Sequence, residues 1–389
     1  MKKVLFILLL LCSIHFWGFV YFPREVFYAT DAVSLLIMGF AFLKMLKNDG
    51  LRFRNAIILY FIGLIINIFA AYINYGQRFL DSFLLYGPFY FILFYFSLHE
   101  MKLSRKYLEN VIIVFAILYS VFYLIQLVSY PRPIFTSEML SDRGTIRLRI
   151  QGNGFLVLAF FLLLNRYLID QKLKYLFLLG FFLVILLKGG FRTLTFAVFL
   201  LTVLMIVRLI PFAIKNSLAI ILATFVFAGL IYSRGSSAII KNMIHTTQKQ
   251  KNEGQNYIRA KCLDYYFTVY PKKASYYLLG GGFTTGDNIK AQNEYYIEER
   301  FGFYWVDLGL IGFYIVIGAI ACFGIIWYTV KAIIIKVPPN MIYLNFYFIY
   351  LLLVSFTTME IYRNGVFAVE AIVLYLIDIT RNENKLKIQ

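Results

Sequence analysis

Long apolar stretches alternate with short polar segments along almost the whole chain. A helix that crosses a bilayer needs about 20 predominantly apolar residues, and a helix satisfies its own backbone groups in lipid. The pattern therefore predicts an all-α polytopic membrane protein with about twelve transmembrane helices. We assign these helices to residues 4–22, 26–46, 56–75, 79–98, 109–129, 152–169, 174–188, 193–210, 217–232, 303–328, 341–358 and 366–380.

The interval between the ninth and tenth stretches is much longer than the others and is mostly polar. Apolar positions in residues 255–270 recur with a helical period, which predicts an amphipathic helix ending before Pro271. Gly280–Gly282 then predict a turn or hinge; a phosphate cradle is less favoured, since no P-loop Lys-Ser/Thr follows. The chain thus divides into nine helices, a large partly helical loop and three helices, at residues 1–232, 233–302 and 303–389.

Composition excludes a soluble protein. Of the 389 residues, 61% are hydrophobic and only 15% are charged, whereas soluble domains carry about 25% charged residues. The net charge of +18 would indicate nucleic-acid binding in a soluble protein. In a membrane protein, Lys and Arg instead flank the inner ends of the spans. With the N-terminus inside, the inner segments hold about twice as many of them as the short outer loops, which predicts that both termini are inside.

Several basic residues lie on the predicted outer side, against this bias. Three arginines precede the sixth stretch, and Lys188 and Arg192 occupy the turn between the seventh and eighth stretches. Because arginine presents a planar fork of donors that fits phosphate oxygens, we predict an outer pocket for a lipid-linked phosphate or diphosphate. The alternative is that these side chains reach lipid headgroups or pair with Glu138 and Asp142. The predicted substrate-binding residues are Arg143, Arg147, Arg149, Lys188 and Arg363.

The long loop supplies carboxylates that could accept a proton from a hydroxyl group. Glu298 lies just before the tenth stretch and is the predicted general base. The alternative for Glu298 is a surface ion pair with Arg300 or Lys290. The substitutes are Glu299, Asp264 and Asp307, of which the last could instead cap the start of the tenth helix.

The same loop is rich in tyrosines. These either stack on sugar rings or line the membrane interface as an aromatic belt. They are Tyr257, Tyr265, Tyr266, Tyr270, Tyr276, Tyr277, Tyr295 and Tyr296. We predict no metal site, because the histidines at positions 15, 99 and 245 lie in three different segments.

Three motifs carry a resemblance to a known family. The turn LLKGGFRTLTFAVFLL (186–201) is similar to an L-x-x-S-R-[ST]-x-L motif, and Arg192 falls on its arginine. Arg259, followed by GGGF (280–283), is similar to an Arg…P-x-x-G-x-G pattern, and WVDLGLIGFY (305–314) to L-x-E-x-G-L-I-G. With the long loop between the ninth and tenth helices, these motifs resemble the bacterial O-antigen ligase and polymerase group, which are membrane glycosyltransferases of the GT-C type.

The resemblance covers about residues 140–325 and favours a polymerase over a ligase. In the ligases a histidine precedes the G-L-I-G segment by about eleven residues, and Glu298 holds that position here. The resemblance implies undecaprenyl-diphosphate-linked glycans as donor and acceptor, in contact with membrane lipid, and a chain-length regulator as a further partner. It also implies a bacterial inner membrane, a periplasmic active site, and no cofactor, metal or nucleic acid.

The mechanism implied by this resemblance is a single displacement at the anomeric carbon. Arg192 and Arg259 would stabilise the diphosphate leaving group, and Glu298 would accept the proton. The product would be O-antigen, capsule or exopolysaccharide. Two alternatives stay open: a ligase that transfers glycan to lipid A core or another acceptor, and a flippase for lipid-linked sugar. A flippase is expected to show repeat symmetry and broken helices at mid-membrane.

Overall fold

The computed structural model describes residues 1–136, 138–142, 145–189, 191–213, 257–271, 273–284 and 288–386. The predicted ninth helix (217–232), His245 and Arg143 lie outside the described residues. So does the part of the long loop that precedes residue 257. The remainder of that loop, which carries Arg259, the triple glycine and Glu298, is described except at residues 272 and 285–287.

Helices dominate the described residues. They are α1 (Lys2–Ser13), α2 (His15–Gly18), α3 (Arg24–Met45), α4 (Arg54–Tyr75), α5 (Phe79–Leu85), α6 (Phe94–Met101), α7 (Arg105–Val128), α8 (Asn153–Asp170), α9 (Leu173–Lys188), α10 (Arg192–Ala213), α11 (Ile258–Asp264), α12 (Ser275–Leu279), α13 (Ile289–Phe301), α14 (Leu310–Ile334), α15 (Tyr343–Ser355) and α16 (Val366–Leu386). Short 3₁₀ turns cover Gly87–Leu93, Trp305–Leu308, Pro339–Met341 and Glu360–Tyr362, and a π-helical turn covers Tyr265–Val269. One hairpin pairs β1 (Met139–Asp142) with β2 (Thr145–Leu148).

Five of the described helices are long and apolar enough to cross a membrane. These are α3, α4, α7, α8 and α14, and the bent pair formed by α5 and Gly87–Met101 makes a sixth if it counts as one span. The apolar helices Thr193–Leu209 and α15 are shorter. Each predicted stretch within the described residues coincides with a helix or with consecutive helices. The fold is therefore that of a mostly helical membrane protein.

Three predicted helices are not continuous. The first ends at Ser13 and is followed by the turn α2, in which Phe16 and Trp17 have positive φ angles. The fourth bends by 63° near Pro88, which lacks the N–H that would continue the preceding turn. The tenth begins at Leu310 rather than at residue 303, and it is broken at Gly318, where φ is +84°. Glycine adopts this conformation without the steric cost that other residues meet.

Small residues allow α14 to pack closely against α4. A Cβ atom added at Gly63 of α4 would lie 2.6 Å from the Cα atom of Ala321, and one added at Gly324 would lie 2.6 Å from the backbone nitrogen of Tyr60. Close backbone approach of this kind is typical of helix pairs in membranes. The contact holds α14 beside α4 and fixes the position of its break at Gly318.

A buried ionic cluster anchors α8. Glu109 of α7 accepts hydrogen bonds from Arg105 Nε at 2.6 Å, from Arg166 Nη2 at 2.5 Å and from the Tyr343 hydroxyl at 2.8 Å. One carboxylate therefore joins α7, α8 and α15. The opposite end of α8 begins at Asn153, directly after the segment that carries Arg147 and Arg149.

Candidate functional site

Arg147 and Arg149, which precede α8, lie on or next to a hairpin that the sequence pattern does not predict. Leu140 pairs with Arg147, and Met139 with Leu148. Because side chains alternate along a strand, Arg147 and Arg149 project to one side while Leu148, 2% exposed, packs in the core. The sequence gives a weak signal here, since each strand has only four residues.

Gln126 of α7 holds the chain that leads into this hairpin. Its side-chain oxygen accepts hydrogen bonds from the backbone nitrogens of Ile134 and Phe135, both at 2.8 Å, and its Nε2 donates to the Arg132 carbonyl at 2.9 Å. The Gln126 side chain is fully buried. A buried amide with these partners positions the loop firmly, because each bond would be costly to break inside the protein.

Four of the predicted arginines line one cavity. Arg147 and Arg149 come from the hairpin region, Arg259 from α11, and Arg363 from the turn before α16. The cavity has a volume of about 410 Å³, within the range of ligand pockets. Its walls also include three carboxylates and several uncharged polar side chains, namely Glu138, Asp307, Glu360, Gln151, Thr357, Thr358 and Asn364. Residues that are far apart in the sequence thus form one basic pocket, the arginine cavity.

Arg363 and Glu360 are held by the turn between α15 and α16. Asn153 Nδ2 donates to Glu360 Oε1 at 2.7 Å, and Arg363 Nη1 lies 3.6 Å from Glu360 Oε2. Ser355 Oγ accepts from the backbone nitrogen of Ile361 at 2.8 Å, which fixes the turn. Glu360 is 5% exposed, so this ion pair is shielded from water and oriented.

Arg259 is positioned by the buried face of α11 and the turn that follows it. Cys262 is buried and its thiol lies 3.6 Å from the Tyr304 carbonyl, while the Tyr266 hydroxyl donates to the Phe303 carbonyl at 3.4 Å. Burial raises the pKa of the Cys262 thiol to about 12, so it is neutral near pH 7. The guanidinium of Arg259 reaches the cavity wall, where Nη1 donates to the Thr357 carbonyl at 3.4 Å.

The remaining charges of the arginine cavity differ in their partners. Arg149 Nη1 pairs with Glu138 Oε2 at 3.2 Å, which is the alternative that the sequence left open for this arginine. This pair is largely exposed and therefore weak. The carboxylate of Asp307 also lines the cavity, and it forms no hydrogen bond or ion pair with any other residue that the structure describes. It is thus available to a ligand.

Other predicted site residues lie elsewhere. Arg192 begins α10, its side chain is outside what the structure describes, and its neighbours Phe191 and Leu194 line the arginine cavity. Lys188 is exposed at the end of α9 and does not line the cavity. Glu298 does not line it either. Glu298 is half-buried on α13, where burial and the neighbouring Glu294 raise its pKa. The carboxylates that line the cavity therefore do not include Glu298, the predicted base.

Polar residues that the sequence motifs do not include also line the cavity. Gln151 lies just before α8, and its Oε1 atom is buried without a hydrogen-bond partner among the described residues. Thr357 and Thr358 follow α15 and interrupt an apolar stretch. Polar residues at the ends of apolar stretches are a signal in the sequence. Applied here, that signal would have indicated Gln151, Thr357 and Thr358 as candidate lining residues.

The triple glycine docks into the break in α14. The backbone nitrogens of Gly281 and Gly282 donate to the carbonyls of Ile315 and Val316 at 2.9 and 2.8 Å, and that of Gly280 donates to Tyr276. All three amides are engaged, so they do not cradle a phosphate. A Cβ atom at Gly280 would lie 2.5 Å from Asn67 Nδ2, which explains the need for glycine. The predicted turn is therefore a packed backbone segment.

Comparison of the chain with protein-family models, with curated proteins and with solved structures finds no match. The resemblance described above consequently stays an expectation. The chemistry available to this protein is judged from the arginine cavity and its surroundings. Among the described residues, no group of three or more His, Cys, Asp or Glu side chains is placed to hold a metal ion.

Proposed function

We propose that this protein is a membrane glycosyltransferase that polymerises lipid-linked oligosaccharide repeat units. The observation that carries the proposal is the arginine cavity, in which Arg147, Arg149, Arg259 and Arg363 converge from three separate parts of the chain. Charged side chains at the ends of membrane helices indicate a functional site by default, and the four arginines of the cavity outnumber its three carboxylates. A diphosphate that joins a glycan to a polyprenyl lipid is an anion of the right kind.

The cavity walls supply what a diphosphate needs as a leaving group. Arginine donates two parallel hydrogen bonds to phosphate oxygens, and such charge-assisted bonds strengthen as negative charge develops. Arg259 is the best placed for this role, since within the described ranges its guanidinium makes one bond, a long one to the Thr357 carbonyl. Arg363 is partly offset by Glu360, and Arg149 by Glu138. We therefore assign Arg259 to the diphosphate and the other arginines to orientation of the substrate.

The reaction would be one displacement. A hydroxyl oxygen of the incoming repeat unit attacks the anomeric carbon of the growing chain, and the bond from that carbon to the diphosphate oxygen breaks. The lipid diphosphate leaves with the bonding electron pair. The hydroxyl proton passes to a carboxylate. We assign this role to Asp307, because its carboxylate lines the arginine cavity and forms no ion pair with any described residue. Asp307 replaces Glu298 as the proposed base.

The proposal includes a location and a topology. We propose twelve crossings in a GT-C-like arrangement, with both termini inside and the arginine cavity on the periplasmic face of a bacterial inner membrane. The excess of Lys and Arg in the predicted inner segments supports this orientation. Donor and acceptor would both be undecaprenyl-diphosphate-linked glycans that enter from the lipid, and a chain-length regulator would be a further partner.

A flippase for lipid-linked sugar is the second candidate, because one observation favours it. The helix α14 is broken at Gly318, and a non-helical glycine segment docks at the break. Discontinuous helices of this kind are typical of transporters. The arginine cavity would then bind the diphosphate headgroup during passage rather than during bond formation.

Reconstitution into liposomes separates the two candidates. The substrate is the radiolabelled lipid-linked repeat unit extracted from the cells that make this protein, and the products are resolved by length on a gel. A ladder of longer glycans supports the polymerase. Glycans of unchanged length contradict it, and their transfer to the opposite leaflet, measured by accessibility to a membrane-impermeant glycosidase, would identify a flippase.

A further inference from the structure

We propose that a second cavity, formed by α4, α12, α13 and the turn after α11, is a carbohydrate-binding site. Five tyrosines dominate its lining, and its volume is about 610 Å³, which lies within the range of ligand pockets. We call it the tyrosine cavity; the rings belong to Tyr75, Tyr265, Tyr270, Tyr276 and Tyr296. The arginine cavity shares none of these residues.

The tyrosine rings meet at steep angles and form walls rather than a stack. The rings of Tyr75 and Tyr276 are 6.0 Å apart and inclined by 86°, and those of Tyr270 and Tyr276 are 6.3 Å apart and inclined by 85°. A pyranose ring has an apolar face of C–H groups with hydroxyl groups around its edge. Aromatic walls match the C–H faces.

Two amides are free to bind the edge of a sugar. The side chains of Asn74 and Asn293 line the tyrosine cavity and form no hydrogen bond with any residue in the described part of the chain. An amide both donates and accepts, as does each sugar hydroxyl. Rings and amides together therefore match a glycan better than an acyl chain, since only Val269 and Ile297 among the lining residues are aliphatic.

A buried ion pair gives the tyrosine cavity a fixed floor. Lys290 lies 3.5 Å from Glu294, donates to the carbonyls of Gly281 and Gly282, and sits 4.5 Å from the centre of the Tyr75 ring. Glu294 also accepts from the Tyr270 hydroxyl at 2.9 Å. Burial lowers the pKa of Lys290, and its hydrogen bonds compensate for part of the desolvation of the charge. The site is thus built before a ligand arrives.

One short segment of the chain contributes residues to both cavities. Arg259 on α11 lines the arginine cavity, whereas Tyr265 at the start of the following π-helical turn and Tyr270 directly after it line the tyrosine cavity. A glycan whose diphosphate lies at Arg259 could extend toward these rings. This part of the inference, which assigns the tyrosine cavity to the substrate glycan, rests on the proposed function; the binding of carbohydrate does not.

Two adjacent tyrosines provide the test. Tyr296 lines the tyrosine cavity, whereas Tyr295, on the same helix and also exposed, does not. The protein is placed in lipid nanodiscs, and the probe is the oligosaccharide released by mild acid from the lipid-linked glycans of the source cells. Binding is measured by saturation-transfer NMR and titration. We expect Tyr296→Ala and Asn293→Ala to weaken binding about tenfold, and Tyr295→Ala to leave it unchanged.

The probe lacks a diphosphate, so Arg259→Ala should also bind it normally. Absence of binding to the wild-type protein would overturn the inference, as would equal affinity in all the variants. Binding that is lost in Arg259→Ala but kept in Tyr296→Ala would assign the glycan to the arginine cavity and overturn it too. A protein that elongates nothing yet shows tyrosine-dependent binding would contradict the polymerase and leave the carbohydrate site standing.

Discussion

Replacement of Arg259 by alanine gives the sharpest separation of catalysis from stability. The guanidinium lies on the wall of the arginine cavity, and its bond to the Thr357 carbonyl is long, at 3.4 Å, and exposed. Its loss should therefore lower the free energy of unfolding by less than about 1 kcal/mol. The buried face of α11, formed by Cys262, is untouched by the change.

The effect on elongation should be much larger. One donor aimed at developing negative charge contributes about 2.7–4 kcal/mol to the stability of a transition state, which is 10²- to 10³-fold in rate. Arg147, Arg149 and Arg363 line the same cavity and, in the proposed function, would still orient the substrate. We therefore expect kcat to fall by about two to three orders of magnitude and KM to change little.

Elongation of the lipid-linked repeat unit is followed by initial rates in liposomes, with the melting temperature measured on the same samples. Lys261→Ala is the matched control, because Lys261 is exposed on the same helix and does not line the arginine cavity. An Arg259→Ala protein that keeps a third or more of its rate would refute the reasoning. So would an equal loss in Lys261→Ala.

Asp307→Asn should lower the elongation rate about 10²- to 10⁴-fold by removing the proton acceptor, whereas Glu298→Gln should leave initial rates near wild type. Gly318→Ala should lower the free energy of unfolding by about 2 kcal/mol or more, since φ is +84° there and the new Cβ would lie 2.5 Å from the Leu278 carbonyl oxygen. Gly39→Ala, with nothing within 4 Å, should leave the melting temperature nearly unchanged. Burial raises the pKa of Glu298 in the folded protein. The protonated carboxyl therefore contributes stability that is fully present below about pH 4.3, the ordinary value for glutamate, and that is lost as the pH rises through the raised pKa. The melting temperature of Glu298→Gln, measured against pH, should lack this part of the pH dependence.

The helices were predictable because the apolar stretches are long and the polar breaks between them are short. Bounds agree closely for α4, predicted at 56–75 and observed at Arg54–Tyr75, and for α8, predicted at 152–169 and observed at Asn153–Asp170. Breaks inside apolar stretches were missed at Pro88 and Gly318. Hydropathy does not register them, because a glycine with positive φ or a bend near proline leaves the stretch equally apolar.

The grouping of the arginines was only partly predictable. The sequence predicts an anion site among the arginines assigned to the outer side, and the structure shows that four arginines line one cavity. Distance along the chain says nothing about which carboxylate faces them, so Glu298 was chosen while Asp307 and Glu360 lie at the cavity. The sequence does not predict the hairpin that carries Arg147, because a strand of four residues is too short to show a clear alternation of apolar and polar positions.

By itself the sequence determined that this is a helical membrane protein with a long polar loop and basic residues beside its helices. These properties follow from local composition and from the spacing of apolar positions along the chain. Tertiary structure alone decided which charges share a cavity. It also decided that Gly280–Gly282 dock into the break at Gly318 and that Tyr265 and Tyr270 line a different cavity from Arg259. Each of these depends on contacts between residues far apart in the chain, which no local pattern encodes.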